Sequence, residues 1–126
     1  MINDLAPSIS IREMSQRSGV PSSTLRYYEK LGLIASERQG HSEQRRYSES
    51  TFHKITYITL AQRAGFSLEE IAIQLTRVPD RFPLTKRHWG PLSEAWNTRI
   101  DQRIAEFKQL KIDIADCASR SSGRKY

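Results

Sequence analysis

The sequence predicts a mainly α-helical chain: a winged helix-turn-helix head, then a long C-terminal helix that needs a partner. Three observations predict it. Two short amphipathic patterns meet at Gly19 near the front. A polar stretch with Gly40 at its tip follows, bounded by Leu33–Ile34 and Tyr47. From Leu92 onward, apolar residues recur by threes and fours over about four heptads.

The elements follow in order. "SIREMSQRSGV" reads as a helix with Ser10 as N-cap, Glu13 as capping-box partner and Gly19 as the stop. Ile11, Met14 and Val20 mark its inner face. "PSSTLRYYEKLGLI" starts at Pro21 and stops at Gly32. Leu25, Tyr28 and Leu31 share one face, which predicts that they point inward. Ser22, Ser23, Arg26, Tyr27 and Lys30 then point outward. Two helices around a tight turn are the helix-turn-helix pattern. "LIASERQGHSEQRRYS" reads as two short strands around a loop, a wing. "SESTFHKITYITLAQRAG" is a helix capped by Ser48 or Ser50 and ended by Gly65. "SLEEIAIQLTRV" is another, with Ser67 as N-cap and Glu70 in the capping box. "PDRFPLTKRHWGP" reads as a linker, with a turn of helix begun by Thr85. Proline inside a helix costs about 3 kcal/mol, so the last helix is expected to start at Pro91. The division is a head over 9–78, a linker over 79–90, a dimerisation helix over 91–118 and a flexible basic tail over 119–126. At 1.5 Å per residue the long helix would span roughly 42 Å. So small a head cannot bury it, and its simplest partner is its own twin. Leu92, Trp96, Ile100, Ile104, Phe107 and Ile114 form the predicted dimer seam.

Composition narrows the function classes. No apolar run approaches the ~20 residues of a membrane span, and the N-terminus lacks a signal-peptide pattern. With one cysteine, Cys117, there is no intrachain disulfide, and the cytoplasm is the expected compartment. Net charge is +6, which favours a polyanion partner. Its distribution weakens that inference, because residues 1–78 carry ten basic and eight acidic side chains. Individual arginines must carry the case. No Ser/His/Asp arrangement, paired acids or phosphate-cradling glycine loop points to an enzyme. His41, His53 and His88 make no metal-ligand spacing.

Ser22, Ser23, Thr24, Arg26 and Tyr27 on the second helix offer hydroxyls, a guanidinium and a phenol to a major groove. Tyr28 lies on the inner side, so Tyr27 is the better phosphate partner. The wing adds Arg38, Gln44, Arg45, Arg46 and Tyr47. Neighbours on a strand face opposite ways, so one of Arg45 and Arg46 meets DNA while the other ties the wing down. Spacing alone is equally compatible with a purely structural helix pair.

"ISIREMSQRSGVPSSTLRYYEKLGLI" followed by "RQGHSEQRRYSES" resembles the N-terminal half of the MerR family of transcription regulators. "LAQRAGFSLEEI" and "LTKRHWGPLSEAWNTRIDQRI" are similar to SoxR-type members, including both tryptophans. The resemblance implies a homodimer joined by an antiparallel coiled coil of the last helices. It implies a winged head on each half of a palindromic promoter operator in double-stranded DNA. Distortion of that DNA would bring misplaced promoter elements into register for RNA polymerase. Ser23, Thr24, Arg26, Tyr27 and Tyr28 match the recognition helix, and Arg45, Arg46 and Tyr47 match the wing. A helix-turn-helix adaptor that binds protein is the rival reading.

The chain departs from SoxR-type members at its end. They carry four clustered cysteines for a [2Fe–2S] centre, and here Cys117 stands alone. Such a centre needs about four ligands, so no cofactor is expected. Three readings of the sensor remain: a Cys117 thiol switch, a small apolar ligand at Trp89 against the partner's coil end, or constitutive binding. Asp116 and Arg120 carry opposite charges beside Cys117, and a helix C-terminus disfavours an anion. An unusually reactive thiol is therefore not expected, and constitutive binding needs no added feature.

Overall fold

Cap residues set the front half of the chain. In the computed structural model, which describes residues 9–38 and 45–121, helix α1 spans Ile11–Ser18. The Ser10 side chain accepts from the Glu13 N–H, and Gly19 closes the helix at φ 74°. That left-handed conformation suits glycine, which has no Cβ to clash. Its N–H donates to the Ser15 carbonyl at 2.9 Å. Helix α2 spans Ser22–Lys30 with Pro21 as N-cap. Leu31 caps its end, and Gly32 follows at φ 79°.

The wing strands are β2, Glu37–Arg38, and β3, Arg45–Tyr47. A third strand, β1 at Ile9–Ser10, was not predicted. It pairs antiparallel with β3, Ile9 opposite Tyr47 and Ser10 opposite Arg46, giving the order β1-β3-β2. The reason is local: an N-cap residue is extended, Ser10 here at ψ 162°, so the cap doubles as an edge strand. Helix α3 spans Glu49–Arg63, capped by Ser48 rather than Ser50. Gly65, at φ 102°, turns the chain into α4, Leu68–Thr76. There Ser67 and Glu70 form the reciprocal capping box.

Met14, Leu25, Ile55, Ile58, Ile71 and Tyr47 make the sealed centre of the head. Leu31 does not join them and is exposed. The helix ends before it, so the helical register no longer aims it inward. Leu33 and Ile34 are buried in its place.

The back half corrects two boundaries. Helix α5 spans Lys86–Ser121 as one piece with Pro91 inside it. It therefore takes in five residues of the predicted linker and three of the predicted tail. Thr85 does begin it, accepting from the His88 and Trp89 N–H groups at 3.1 and 2.9 Å. The proline removes a single bond, to the Arg87 carbonyl, on an exposed stretch where water can substitute. Gly90 lacks the Cβ that a proline ring would crowd. Trp89 and Leu92, on either side, pack against the same core, so both flanks of the proline are anchored to the head. Phe82, in the segment before α5, is buried, and its N–H donates to Ser50 Oγ at 3.0 Å. That segment is a packed strap rather than a free linker. None of the described helices is long and apolar enough to cross a membrane.

Candidate nucleic-acid interface

Helix α2 is amphipathic, and its two faces are used differently. Leu25 and Tyr28 are buried against the head, and the Tyr28 hydroxyl donates to Gln62 Oε1 on α3 at 2.7 Å. Burial pushes the Tyr28 pKa up, so the phenol stays a donor. The opposite face presents Ser23, Arg26 and Tyr27 to solvent, with Ser22 and Thr24 half-buried beside them. Tyr27 is 50% exposed.

Glu29, at the edge of the two faces, fixes the wing to α2. Its Oε2 accepts from Ser36 Oγ at 2.7 Å and Arg45 Nε at 3.3 Å, and its Oε1 accepts from the Tyr47 hydroxyl at 2.9 Å. Partial burial favours the neutral acid. The hydrogen bonds from Ser36 and Tyr47 and the Arg45 charge outweigh it, so the carboxyl sits below its usual range. Arg45 and Tyr47 are two apart on β3, so they share a face, and both reach Glu29. Arg46 faces the other way and forms no ion pair among the described residues. A groove of about 350 Å³ runs between α2 and the wing, lined by Arg26, Glu29, Lys30 and Arg45. Three of those four side chains are cations, which suits a phosphate backbone.

Two predicted contacts are thereby corrected: Tyr47 on the wing, and Tyr28, which the resemblance placed on the recognition helix although its helical period already put it on the inner side. Tyr28 and Tyr47 are both buried, with their hydroxyls bonded inside the head, so neither can touch DNA. Each is a support: Tyr28 seats α2 on α3, and Tyr47 seats β3 on α2. Arg45 is the arginine that ties the wing down. Arg38 sits opposite Arg45 across the β2–β3 pair. Gln44, Gly40 and His41 lie outside the described residues, as do residues 122–126 of the tail. Sequence reading passed over two members of the groove, Lys30 and Glu29. Lys30 had a usable signal, since it follows Arg26 at i+4 on the same helical face. Glu29 had none, because its partners come from the wing.

The predicted seam divides in two. Ile100, Ile104, Phe107 and Ile114 are exposed along α5. Trp96 is not with them: only 7% exposed, it packs within its own head. Its ring lies 5.1 Å from Tyr57, 5.0 Å from Trp89 and 5.8 Å from Phe66. The first turns of α5 lean on α3 and α4, so this part of the stripe is used up before any partner arrives. Leu92 is half-buried against the same cluster. Trp89 walls a hollow of about 210 Å³ with Tyr57, Phe82 and Leu84, and His53 lies on its lining. Tyr57 is sealed beneath, its hydroxyl donating to Gln74 Oε1 at 2.8 Å, and burial pushes its pKa up to about 12.

Residues 9–77 match the family model described as "MerR HTH family regulatory protein". The chain belongs to the MerR HTH family. Residues 52–117 match a second model, "MerR, DNA binding". Among relatives, the chain is 32% identical over 110 residues to an "HTH-type transcriptional activator SoxR homolog" from Chromobacterium violaceum, covering 87% of this chain and 74% of that one. It is 36% identical over 103 residues to the "HTH-type transcriptional regulator HmrR" of Rhizobium leguminosarum bv. viciae, covering 82% and 78%. Two solved structures share the fold. The regulator PbrR691 from Ralstonia metallidurans CH34, in complex with lead(II), aligns with a TM-score of 0.61 at 23% identity over 94% of this chain and 91% of that one. HiNmlR, a MerR family regulator lacking the sensor domain and bound to promoter DNA, aligns at 0.57 and 21% over 84% and 83%. This chain is a DNA-binding transcription regulator of the MerR family.

The [2Fe–2S] centre of SoxR-type members does not fit these residues. Cys117 is the one thiol in the sequence, and its side chain is exposed near the end of α5. Among the described residues no three His, Cys, Asp or Glu side chains come together as a metal site. Asp116 and Arg120, on either side of Cys117, pair with each other at 3.0 Å.

Proposed function

We propose that two copies of this chain join through antiparallel α5 helices and set their winged heads on the two halves of a palindromic promoter operator. In this reading Ser22, Ser23, Thr24, Arg26 and Tyr27 meet the major groove, while Arg46 meets the flanking backbone. Arg45 shapes the groove and shares it with phosphate. Distortion of the bound duplex then controls the promoter for RNA polymerase. The single observation that supports this best is the exposed run Ile100, Ile104, Phe107 and Ile114 on α5. A stripe of large apolar residues at coiled-coil spacing on one exposed helix calls for a second helix. Antiparallel pairing follows the family resemblance, and two-fold symmetry matches a two-fold site.

Arg26→Ala and Arg46→Ala test the reading. If each arginine neutralises a phosphate, each variant binds all duplexes more weakly, and its salt slope falls by about one. A protein-binding adaptor would show no change, or no duplex binding to abolish.

A second reading concerns the signal. The hollow beside Trp89 favours a small apolar effector over a Cys117 thiol switch, because it offers aromatic walls and a defined volume. Saturable quenching of tryptophan fluorescence by naphthalene, abolished in Trp89→Ala, is the expected result. Unsaturable quenching leaves constitutive binding as the better account.

A further inference from the structure

Helix α5 is fastened to the head at one point by a guanidinium with three partners. Arg99 Nη1 donates to the Gly65 carbonyl at 3.0 Å. Its Nη2 donates to Glu70 Oε2 at 2.6 Å. Its plane lies over the Phe66 ring, 4.4 Å from the centroid. Glu70 is already engaged, since its Oε1 accepts from the Ser67 N–H at 2.9 Å as half of the capping box. One carboxylate therefore both starts α4 and receives α5. The Arg99 hydrogen bond holds that carboxyl below its usual range.

The connection continues into the reading helix. The Gly65 N–H donates to the Gln62 carbonyl at 3.0 Å, and Gln62 Oε1 accepts from Tyr28 on α2 at 2.7 Å. Arg103, one turn along α5 from Arg99, reaches the same corner: a Cβ on Gly65 would lie 2.8 Å from Arg103 Nε. Arg99 is thus three hydrogen-bonded steps from Tyr28, the residue that seats α2.

We propose that Arg99 is the positioning residue that sets the angle between each head and the coil, and so the spacing and tilt of the two recognition helices on the operator. The inference rests on the dimeric reading above. It adds that register between half-sites is held at the Gly65–Phe66–Glu70 corner, not by the side chains that line the groove. Arginine suits the task because its planar fork can hold two acceptors at fixed angles while stacking on a ring. Lysine, a single point charge on a flexible stem, cannot do both.

The test uses full-length protein and duplexes carrying the two half-sites of a sequence that the wild type selects from a random pool. The spacer is kept, or changed by one base pair in either direction. The wild type should prefer the kept spacer by about tenfold or more. Arg99→Lys should reduce that preference to about twofold while single half-site affinity stays within about twofold of wild type. Arg99→Ala should do the same. Should it fail to fold, Glu70→Gln serves, since glutamine still completes a capping box but removes the charge that receives Arg99. A merely structural arginine would lower the melting temperature and leave spacer preference intact. Spacer preference as sharp as wild type in Arg99→Lys overturns the latch and leaves the dimeric reading standing. A wild type that prefers paired half-sites no more than single ones overturns the dimeric reading itself, and the latch with it.

Discussion

In the head, Met14, Leu25, Ile55 and Ile71 are completely sealed; on α5, Ile104, Phe107 and Ile114 stand roughly half or more exposed. The residue types are similar, and the surroundings are not. The head closes its own core with α1, α2, α3, α4 and the first turns of α5. Beyond Arg103 the next seventeen residues of that helix, through Arg120, are all exposed. The contrast shows where one chain stops being sufficient. The boundary falls inside α5, between Trp96, which the head claims, and Ile100, which it does not.

Breaking the exposed half should give the largest effect. Phe107→Glu puts a charge into the seam twice per dimer. Removing a buried phenylalanine from each copy costs about 3–6 kcal/mol of association, so sedimentation should show single chains at micromolar concentration. The head should keep its thermal transition. Collapse of the head's fold along with the dimer would mean that the two regions are not separable.

Breaking the inner half should cost somewhat less, and without loss of pairing. Trp96→Ala leaves a hole among Tyr57, Phe66 and Trp89 and should lower head stability by about 3–5 kcal/mol in denaturant titrations. The indole also buries its Nε1–H with no protein acceptor among the described residues. Trp96→Phe removes that orphan while keeping a ring, so its cost should be about 1 kcal/mol or less. Equal costs for the two variants would place Trp96 elsewhere than in the head.

Glu29 sharpens the contrast within the head. Glu29→Ala strips the acceptor from Ser36, Arg45 and Tyr47 and should destabilise by about 2–3 kcal/mol, with a matching drop in duplex affinity. Because its folded pKa is depressed, its contribution is present above the ordinary value of 4.5 and disappears as pH falls through the lower folded value. Acid titration followed by NMR at Arg45 should show the wing loosening below that point in wild type and no such step in Glu29→Ala. The smallest effect belongs to Cys117→Ser, whose side chain is exposed on α5. A surface substitution of this kind stays within about 0.5 kcal/mol, and duplex affinity should not respond to peroxide in either protein. A peroxide response confined to the wild type would revive the thiol switch.

Much of the fold was legible because caps and turns are written in adjacent residues. Ser10, Gly19, Ser48, Gly65 and the Ser67–Glu70 box all fall where local chemistry puts them. The failures share a cause, which is distance along the chain. Nothing near Pro91 announces that Trp89 packs on Tyr57 of α3 and that Leu92 packs against the head's core, so the local penalty of proline looked decisive. The two residues of β1 carry no alternation to detect, and their partners, Arg46 and Tyr47, lie far along the chain. The resemblance assigns Tyr28 to DNA and a place on the wing does the same for Tyr47, but Gln62 and Glu29 claim their hydroxyls first. The exposed face of α2 was readable from period alone, while the hub at Glu29 needed three dimensions. Trp96 kept its place in the heptad pattern, yet a stripe does not say which neighbour covers each part of it.

The most direct test of the central claim is light scattering of the full-length protein at micromolar concentration, alone and with a palindromic duplex it has selected. Twice the chain mass in the first case, and that dimer plus one duplex in the second, is the predicted result. A single chain bound to each half-site, with no paired species before or after DNA is added, would contradict it.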